Sequence, residues 1–305
     1  MWLSKLFRKK SLPQNLKKRA SQKQALVEIE ANCPASMKRC VELASEKGAS
    51  NWLSVLPVEE HGFHLSKGDF RDASCMRYGW MLPNLPSKCV CGSAFNVDHA
   101  MVCSKGGFPT LRHNEIRDIT VDLLTEVCHD VAIEPMLQPL TGEKFQKKTV
   151  NIRDDDARLD ISARGFWGGR FEKTYFDVRV FNPNATSYTC FEVASCYRRQ
   201  EQEKKRKYEE RLRKVENASF TPIILSCTGG MSKLTTSFTK KLASMISEKK
   251  DTPYGSVINW LRCRLGFALL RASIMCIRGS RCKRYVRPEN NILLATSEGH
   301  LASSA

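Results

Sequence analysis

The sequence predicts a mixed α/β domain between about residues 109 and 227, because helical and extended patterns alternate along this stretch. A helical pattern comes first, two alternating runs separated by a turn follow, and a long charged helix then leads to a further apolar strand. This order of elements is typical of α/β folds. The chain has 305 residues, of which 42% are hydrophobic and 27% charged, and these values indicate a folded globular protein of one large domain or two modest ones.

Each element follows from its own residue pattern. Alternation over 158–163 and over 173–181, with a glycine-rich turn at 165–169 between them, predicts a β-hairpin. An amphipathic helix is predicted over about 113–130 from the apolar stripe Ile116, Ile119, Leu123, Val127 and Val131. The remaining predicted elements are helices at about 22–47, 197–216, 231–248 and 257–278, and a strand at 220–226.

Composition divides the chain into four parts. Residues 1–50 are predicted to form a basic arm and a helix, and 51–108 a small module rich in proline, glycine and cysteine. Residues 109–227 form the α/β domain, and 228–305 a basic helical extension with a tail. The apolar runs of the small module are short, so we expect something other than a large core to hold it together.

The charge of the chain points to a polyanionic partner. Lys and Arg number 49 against 32 Asp and Glu, a formal net charge of +17, which favours nucleic acid first, as DNA and then RNA, and an anionic membrane surface second. Residues 1–24 contain eight Lys or Arg and no acid, which is typical of a phosphate-binding or nuclear-import arm, so a nuclear location is expected. The sequence has no apolar run long enough for a membrane span, and no membrane partner is expected.

Four metal-ligand types lie within fifteen residues of the small module. Cys89, Cys91, His99 and Cys103 have the spacing C-x-C-x7-H-x3-C, and three thiolates with an imidazole form a standard tetrahedral zinc set. Gly92 permits the tight turn that the first ligand pair requires. We therefore expect a structural zinc ion; the alternative is a group of buried apolar cysteines beside an unrelated surface histidine.

Two extended runs place acids on the face opposite their apolar residues. In FDVRV, Asp177 and Arg179 share one face, and in LDIS the same alternation assigns Asp160 to the polar face. If the two runs pair as a hairpin, both carboxylates lie on one face of the sheet, where acidic oxygens suit Mg²⁺ or Mn²⁺. Glu115, in the first turn of the preceding helix, is expected to add a third carboxylate, with Asp118 as the fallback. The alternative is a set of surface acids on a half-exposed sheet.

A lysine is expected to complete this acidic group. Lys204 shares a helical stripe with apolar residues and should therefore point inward, whereas Lys205 and Lys207 flank it. Arg179 can stabilise phosphate charge but cannot act as a base, because a guanidinium does not lose its proton. Lys204 is thus the candidate for positioning or deprotonating a water molecule that attacks a phosphodiester.

Basic residues of the long helix and of the C-terminal part are expected to follow a phosphate backbone, although the same pattern also fits a core helix with snorkelling arginines. The candidate nucleic-acid-binding residues are Arg198, Arg199, Lys205, Arg262, Arg264, Arg281, Lys283 and Arg284.

The runs CVCGSAFNVDHAMVC, RHNEIRD, RLD, FDVRV and EKKRKY occur in this order over about residues 51–281. Together they resemble the C-terminal region of non-long-terminal-repeat retrotransposon polyproteins, in which a zinc knuckle leads into a restriction-like endonuclease of the PD-(D/E)xK superfamily. The resemblance implies a restriction-endonuclease-like mixed sheet with flanking helices, preceded by the zinc-knuckle module and followed by the helical extension. It also implies a nuclease that nicks DNA with Mg²⁺ or Mn²⁺ and leaves a 3′-hydroxyl as a primer for reverse transcription.

The motif positions carry over one by one. Asp160 resembles the first motif aspartate, Asp177 the second acidic position and Glu115 the helix carboxylate, while Lys204 lies in the lysine-containing helix motif. Three features depart from the pattern: a leucine replaces the motif proline, Arg179 replaces the motif lysine, and the zinc spacing is one residue shorter before the last cysteine. The sequence contains no reverse transcriptase, so the parent element is expected to supply that partner. The alternative function is a catalytically inert, zinc-containing nucleic-acid-binding module.

Overall fold

The computed structural model describes residues 21–138, apart from 22, 23, 26 and 30, and residues 158–280. The predicted basic arm, most of the polar stretch before the hairpin, and the C-terminal candidates Arg281, Lys283 and Arg284 lie outside the described residues. The described chain is a mixed α/β structure with a four-stranded sheet of order β1-β2-β3-β4 and helices on both faces.

Side-chain caps determine where several helices begin. The side chains of Ser66, Asn96 and Ser232 each accept a hydrogen bond from the main-chain N–H three residues later, which satisfies a donor that the first helical turn leaves free. The helices are α1 (Ala35–Ser45), α2 (Lys67–Tyr78), α3 (Val97–Val102), α4 (Phe108–Thr125), α5 (Val193–Lys214), α6 (Lys233–Lys250) and α7 (Tyr254–Arg278). The strands are β1 (His129–Ile133), β2 (Ile161–Arg164), β3 (Lys173–Phe181) and β4 (Ser219–Ser226).

The sheet mixes both pairing directions. β2 pairs antiparallel with β1 and with β3, and the register aligns Ile161 with Phe176. Gly165 turns the chain between β2 and β3 in a left-handed conformation (φ +84°) that glycine adopts without strain. β4 runs parallel to β3, because α5 crosses the sheet between them.

Each face of the sheet packs against different helices. Alternate residues of β3, Phe176 and Val178, lie in the main core with α4, α6 and α7. The residues that alternate with them point to the opposite face, where Tyr175 packs with Leu212 of α5. The period-2 alternation of β3 therefore directs Asp177 toward α5 as well. The main core contains, among others, Ile116, Leu123, Ile161, Ile223, Leu225, Phe238, Leu242, Leu261 and Leu269.

The small module and the C-terminal extension share a second core. Leu82 and Met101 pack with Cys276 and Ile277 of α7, and Arg278 forms an ion pair with the buried Asp72 at 2.5 Å. The predicted division of the chain into four parts stays a prediction, although apolar contacts cross the proposed boundaries at these points. None of the described helices combines the length and apolar content that a membrane span requires.

The strands and helices confirm most of the predicted elements, but β1, α2 and α3 were not predicted and two predicted helices have different bounds. The helix predicted over 113–130 begins at Phe108 and ends at Thr125, and Val131 of its apolar stripe lies in β1 instead. The alternation of β1 is obscured because its register shifts and Asp130 has a left-handed φ of 48°. The helix predicted over 22–47 is interrupted before α1, where Pro34 has an extended conformation.

Candidate active site and metal centre

A short hairpin and a helix bring the four predicted zinc ligands together. Cys89 and Cys91 lie in a turn that ends at Gly92, which has a φ of +93° and donates its N–H to the Cys89 carbonyl. His99 and Cys103 come from α3 and its C-terminal end, one helical turn apart. The ligand atoms of all four residues lie within 4.8 Å of one another.

The spacing within this cluster fits a tetrahedral ion. The sulfurs of Cys89 and Cys103 are 3.8 Å apart, and Cys91 Sγ is 3.4 Å from His99 Nε2. Around a tetrahedral zinc ion with ordinary bond lengths, two sulfurs are separated by about 3.8 Å and a sulfur and a nitrogen by about 3.6 Å. Hydrogen bonds from Ser93 lower the pKa of Cys91 to about 6, which favours the thiolate that a metal ion binds. The cluster can thus hold a metal ion such as zinc.

A second group of titratable side chains forms where β2 begins beside β3. Continued by one residue, the register that aligns Ile161 with Phe176 places Asp160, just before β2, opposite Asp177, and the two carboxylates are close enough to interact electrostatically. The Asp160 carboxylate also replaces part of the strand ladder, because its Oδ2 accepts the main-chain N–H of Val178 at 2.6 Å. The two predicted aspartates therefore lie close together at the start of β2.

Lys204 completes this group from α5. Its Nζ lies 2.5 Å from Oδ2 of Asp177, whose residue is only 5% exposed. Burial raises the pKa of the Asp177 carboxyl, and the negative charge of Asp160 adds to this effect; Lys204 and His113 act in the opposite direction. Lys204 is the lysine that reaches the aspartate, whereas Lys205 pairs with Glu209 at 3.5 Å and Lys207 lies over the Tyr208 ring.

His113 is a member of this group that the sequence analysis did not identify. Its Nε2 is 3.1 Å from Oδ1 of Asp160, and the two side chains are 28% and 20% exposed. Arg117, one turn further along α4, also acts electrostatically on this site, because Asp160 raises its pKa. The sequence offers one indication of this pair: His113 and Arg117 are four residues apart and therefore share a face of α4.

Glu115 lies on the other side of α4. Two residues rotate a helix by about 200°, so Glu115 points away from His113. Burial raises the pKa of Glu115, while Arg271 and Arg264 of α7 lower it. The structure thus groups Glu115 with α7 and does not support its predicted place beside the aspartates; the fallback, Asp118, pairs with Arg117 at 2.8 Å.

The remaining candidates surround the site or lie away from it. Arg179 forms an ion pair with Glu203 at 2.9 Å, next to Lys204 on α5. Arg198 bonds to Ser195, Arg199 lies over the ring of Phe191, and Arg264 pairs with Asp122 at 3.6 Å. Arg262 is partly exposed on α7. These contacts leave the assignment of a nucleic-acid surface a prediction.

No family model matches the chain, and no curated protein matches it significantly. The two side-chain groups therefore carry the functional interpretation. They define a mixed α/β protein that has a Cys₃His cluster able to bind a metal ion and, on the sheet, two aspartates with a histidine and a lysine.

Proposed function

We propose that the protein is a metal-dependent DNA endonuclease that nicks one strand and leaves a 3′-hydroxyl. The observation that carries the proposal is the group of Asp160, Asp177 and Lys204 where β2 begins beside β3. The restriction-like fold, the zinc-knuckle module and the retrotransposon origin belong to the same proposal. They are supported by the order of motifs in the sequence and by the mixed sheet with helices on both faces.

Asp160 and Asp177 are suited to a small divalent ion. Mg²⁺ is usually held by one or two carboxylates and completes its shell with water and substrate phosphate oxygens, and Mn²⁺ accepts the same ligands. When bound, such an ion lowers the pKa of a water molecule and stabilises negative charge on the phosphate. The buried Asp177 and the neighbouring Asp160 repel each other, so a cation between them relieves an unfavourable arrangement.

Lys204 donates a hydrogen bond to the attacking water and so orients it, while Arg179 stabilises charge on the phosphate. A water oxygen bonds to phosphorus and the water releases a proton to the solvent. The bond from phosphorus to the 3′ oxygen breaks, and that oxygen takes a proton from the solvent to become the 3′-hydroxyl, which leaves a 5′-phosphate on the other fragment. Such an end is the primer that a reverse transcriptase from a parent element requires. DNA is then the principal partner, RNA a second one, and the nucleus the place of action.

A nicking assay on supercoiled plasmid tests this proposal. We expect Asp160→Asn and Asp177→Asn to lower the Mg²⁺- or Mn²⁺-dependent nicking rate by about 10²-fold or more, because each removes a charge worth several kcal/mol in the transition state. The matched control is Asp130→Asn, which changes an exposed aspartate whose left-handed backbone asparagine also adopts. Nicking at the wild-type rate by both aspartate variants contradicts the site assignment.

A catalytically inert nucleic-acid-binding module is the second candidate. The net charge of +17 and the Cys₃His cluster favour it, since neither requires catalysis. It predicts binding to DNA or RNA that weakens steeply with salt, without cleavage in Mg²⁺, Mn²⁺ or EDTA. Nicking that depends on Asp160 excludes this candidate.

A further inference from the structure

Both oxygens of Asp160 are held by hydrogen bonds from different elements. Oδ2 accepts the main-chain N–H of Val178 in β3, and Oδ1 lies 3.1 Å from Nε2 of His113 in α4. The main-chain carbonyl of Asp160 accepts the N–H of Glu134 at 2.9 Å, so the backbone is fixed as well. The orientation of this carboxylate therefore depends on one main-chain N–H and one histidine side chain.

We propose that His113 is a positioning residue, which donates its Nε2–H to Oδ1 of Asp160 and orients that carboxylate toward a divalent cation shared with Asp177. The inference rests on the proposed function, since it concerns the same carboxylate site. An ionised carboxylate only accepts hydrogen bonds, so the imidazole that faces it carries a proton on Nε2. Each carboxylate oxygen has two lone pairs, and the one that His113 does not use stays free for the cation.

The helix that carries His113 is itself anchored. The guanidinium of the neighbouring Arg112 is buried and donates to the carbonyls of Met101 at 3.1 Å and Val180 at 3.4 Å. Val180 lies on β3, two residues beyond Val178, whose N–H holds the other oxygen of Asp160. The two donors of Asp160 are therefore fixed relative to each other, which an exposed, unanchored histidine could not achieve.

Removing the imidazole leaves the carboxylate with one hydrogen bond, from the main-chain N–H of Val178. Asp160 can then rotate about its bond to Val178, and the two carboxylates no longer present oxygens at a fixed separation. Loss of such outer hydrogen bonds typically weakens metal affinity by 10–100-fold. A role confined to folding would instead lower stability without a selective effect on the cation.

Mn²⁺ binding to the zinc-saturated full chain, followed by electron paramagnetic resonance, tests the inference together with the Mn²⁺ dependence of nicking. We expect His113→Ala to raise the Mn²⁺ dissociation constant by about 10–100-fold, while saturating Mn²⁺ restores most of the nicking rate. His113→Gln should recover much of the affinity, because its amide nitrogen can take the place of Nε2. His113→Leu, of similar size but without a donor, should behave like His113→Ala and serves as the second variant where the smaller side chain unfolds the protein.

His129→Ala is the matched control, since His129 is an exposed histidine of β1. An unchanged Mn²⁺ dissociation constant in folded His113→Ala and His113→Leu overturns the positioning role and leaves the nuclease proposal standing. Equal affinities of His113→Gln and His113→Leu overturn it too, because the donor then does not matter. Mn²⁺ binding that Asp160→Asn leaves unchanged overturns the proposed site itself.

Discussion

A buried aspartate paired with a lysine lowers the free energy gained on folding, so its presence points to a role other than stability. Taking Asp177 and Lys204 out of water costs several kcal/mol per ion before their attraction is counted, and apolar residues of similar size would often be as stable. The pKa of the Asp177 carboxyl remains raised even with Lys204 at 2.5 Å. Charge is therefore concentrated at this point of the sheet, as expected of a functional site.

A half-buried acid with a raised pKa lies far along the sequence from this group. Glu46, at the C-terminal end of α1, points toward the buried Tyr197 and the chain at Gly230. Burial raises its pKa to about 7, although a hydrogen bond with Tyr197 acts in the opposite direction. Gly230 leaves room for both polar atoms, because a Cβ there would overlap Glu46 Oε2 and the Tyr197 hydroxyl.

Glu46 should make the stability of the protein depend on pH. Between pH 4.5 and 7 the folded state keeps the Glu46 proton that the unfolded state has lost, so stability falls as pH rises, by on the order of 3 kcal/mol over the window. Glu46→Gln should remove this fall, while Glu60→Gln, at an exposed glutamate, should keep it. Urea unfolding of the three proteins at several pH values measures the difference. If the free energy of unfolding depends on pH in the same way for the wild type and Glu46→Gln, Glu46 is not the group responsible.

At the scale of single elements, α4 shows why part of the site could be predicted and part could not. Strand alternation is a short-range rule, so recognising the hairpin was enough to predict that Asp160 and Asp177 lie close together. A helix such as α4 carries acidic and basic side chains around its whole circumference. Only the tertiary packing decides which side of it contacts the sheet. Glu115 was expected there because of its charge, but His113 occupies that side.

The same distinction applies to the fold. The hairpin, α5, β4 and the last two helices have clear periods and were predictable within a few residues. β1 was not, because its register shift breaks the alternation and its apolar residues continue the stripe of α4. The core that the small module shares with α7 could not be predicted either, since no local sequence pattern indicates contacts between distant residues such as Met101 and Ile277.

The docking of α5 on the sheet can be tested through one apolar residue. Leu212 is fully buried against Tyr175 and Leu159, and its packing holds the helix that carries Lys204. We expect Leu212→Ala to lower the free energy of unfolding by about 2–5 kcal/mol, because it leaves a cavity in this contact. Leu56→Ala, at a leucine that is 77% exposed, should change it by less than about 0.5 kcal/mol. Urea denaturation compares them, and equal losses would contradict the packing described.

At the scale of the whole molecule, the Cys₃His cluster and the carboxylate site are joined through α4. Arg112 donates to the carbonyl of Met101, which stands two residues before the ligand Cys103. The next residue, His113, contacts Asp160. A metal ion that fixes α3 thereby also fixes the helix that holds the carboxylate, so the small module supports the geometry of the sheet site.

Loss of the Cys₃His metal ion should therefore affect the entire chain. Cys103→Ala is expected to abolish stoichiometric zinc binding, whereas Cys128→Ala, at another buried cysteine, should retain it. Removing zinc costs at least about 4 kcal/mol of stability where the free ion exceeds its dissociation constant a thousandfold, because only the folded chain has the assembled site. Elemental analysis gives the zinc content, and urea unfolding with and without a zinc-selective chelator gives the stability. If Cys103→Ala binds zinc like the wild type, or if the chelator leaves the wild-type unfolding curve unchanged, the four residues do not form a structural zinc site and the link through Arg112 loses its basis.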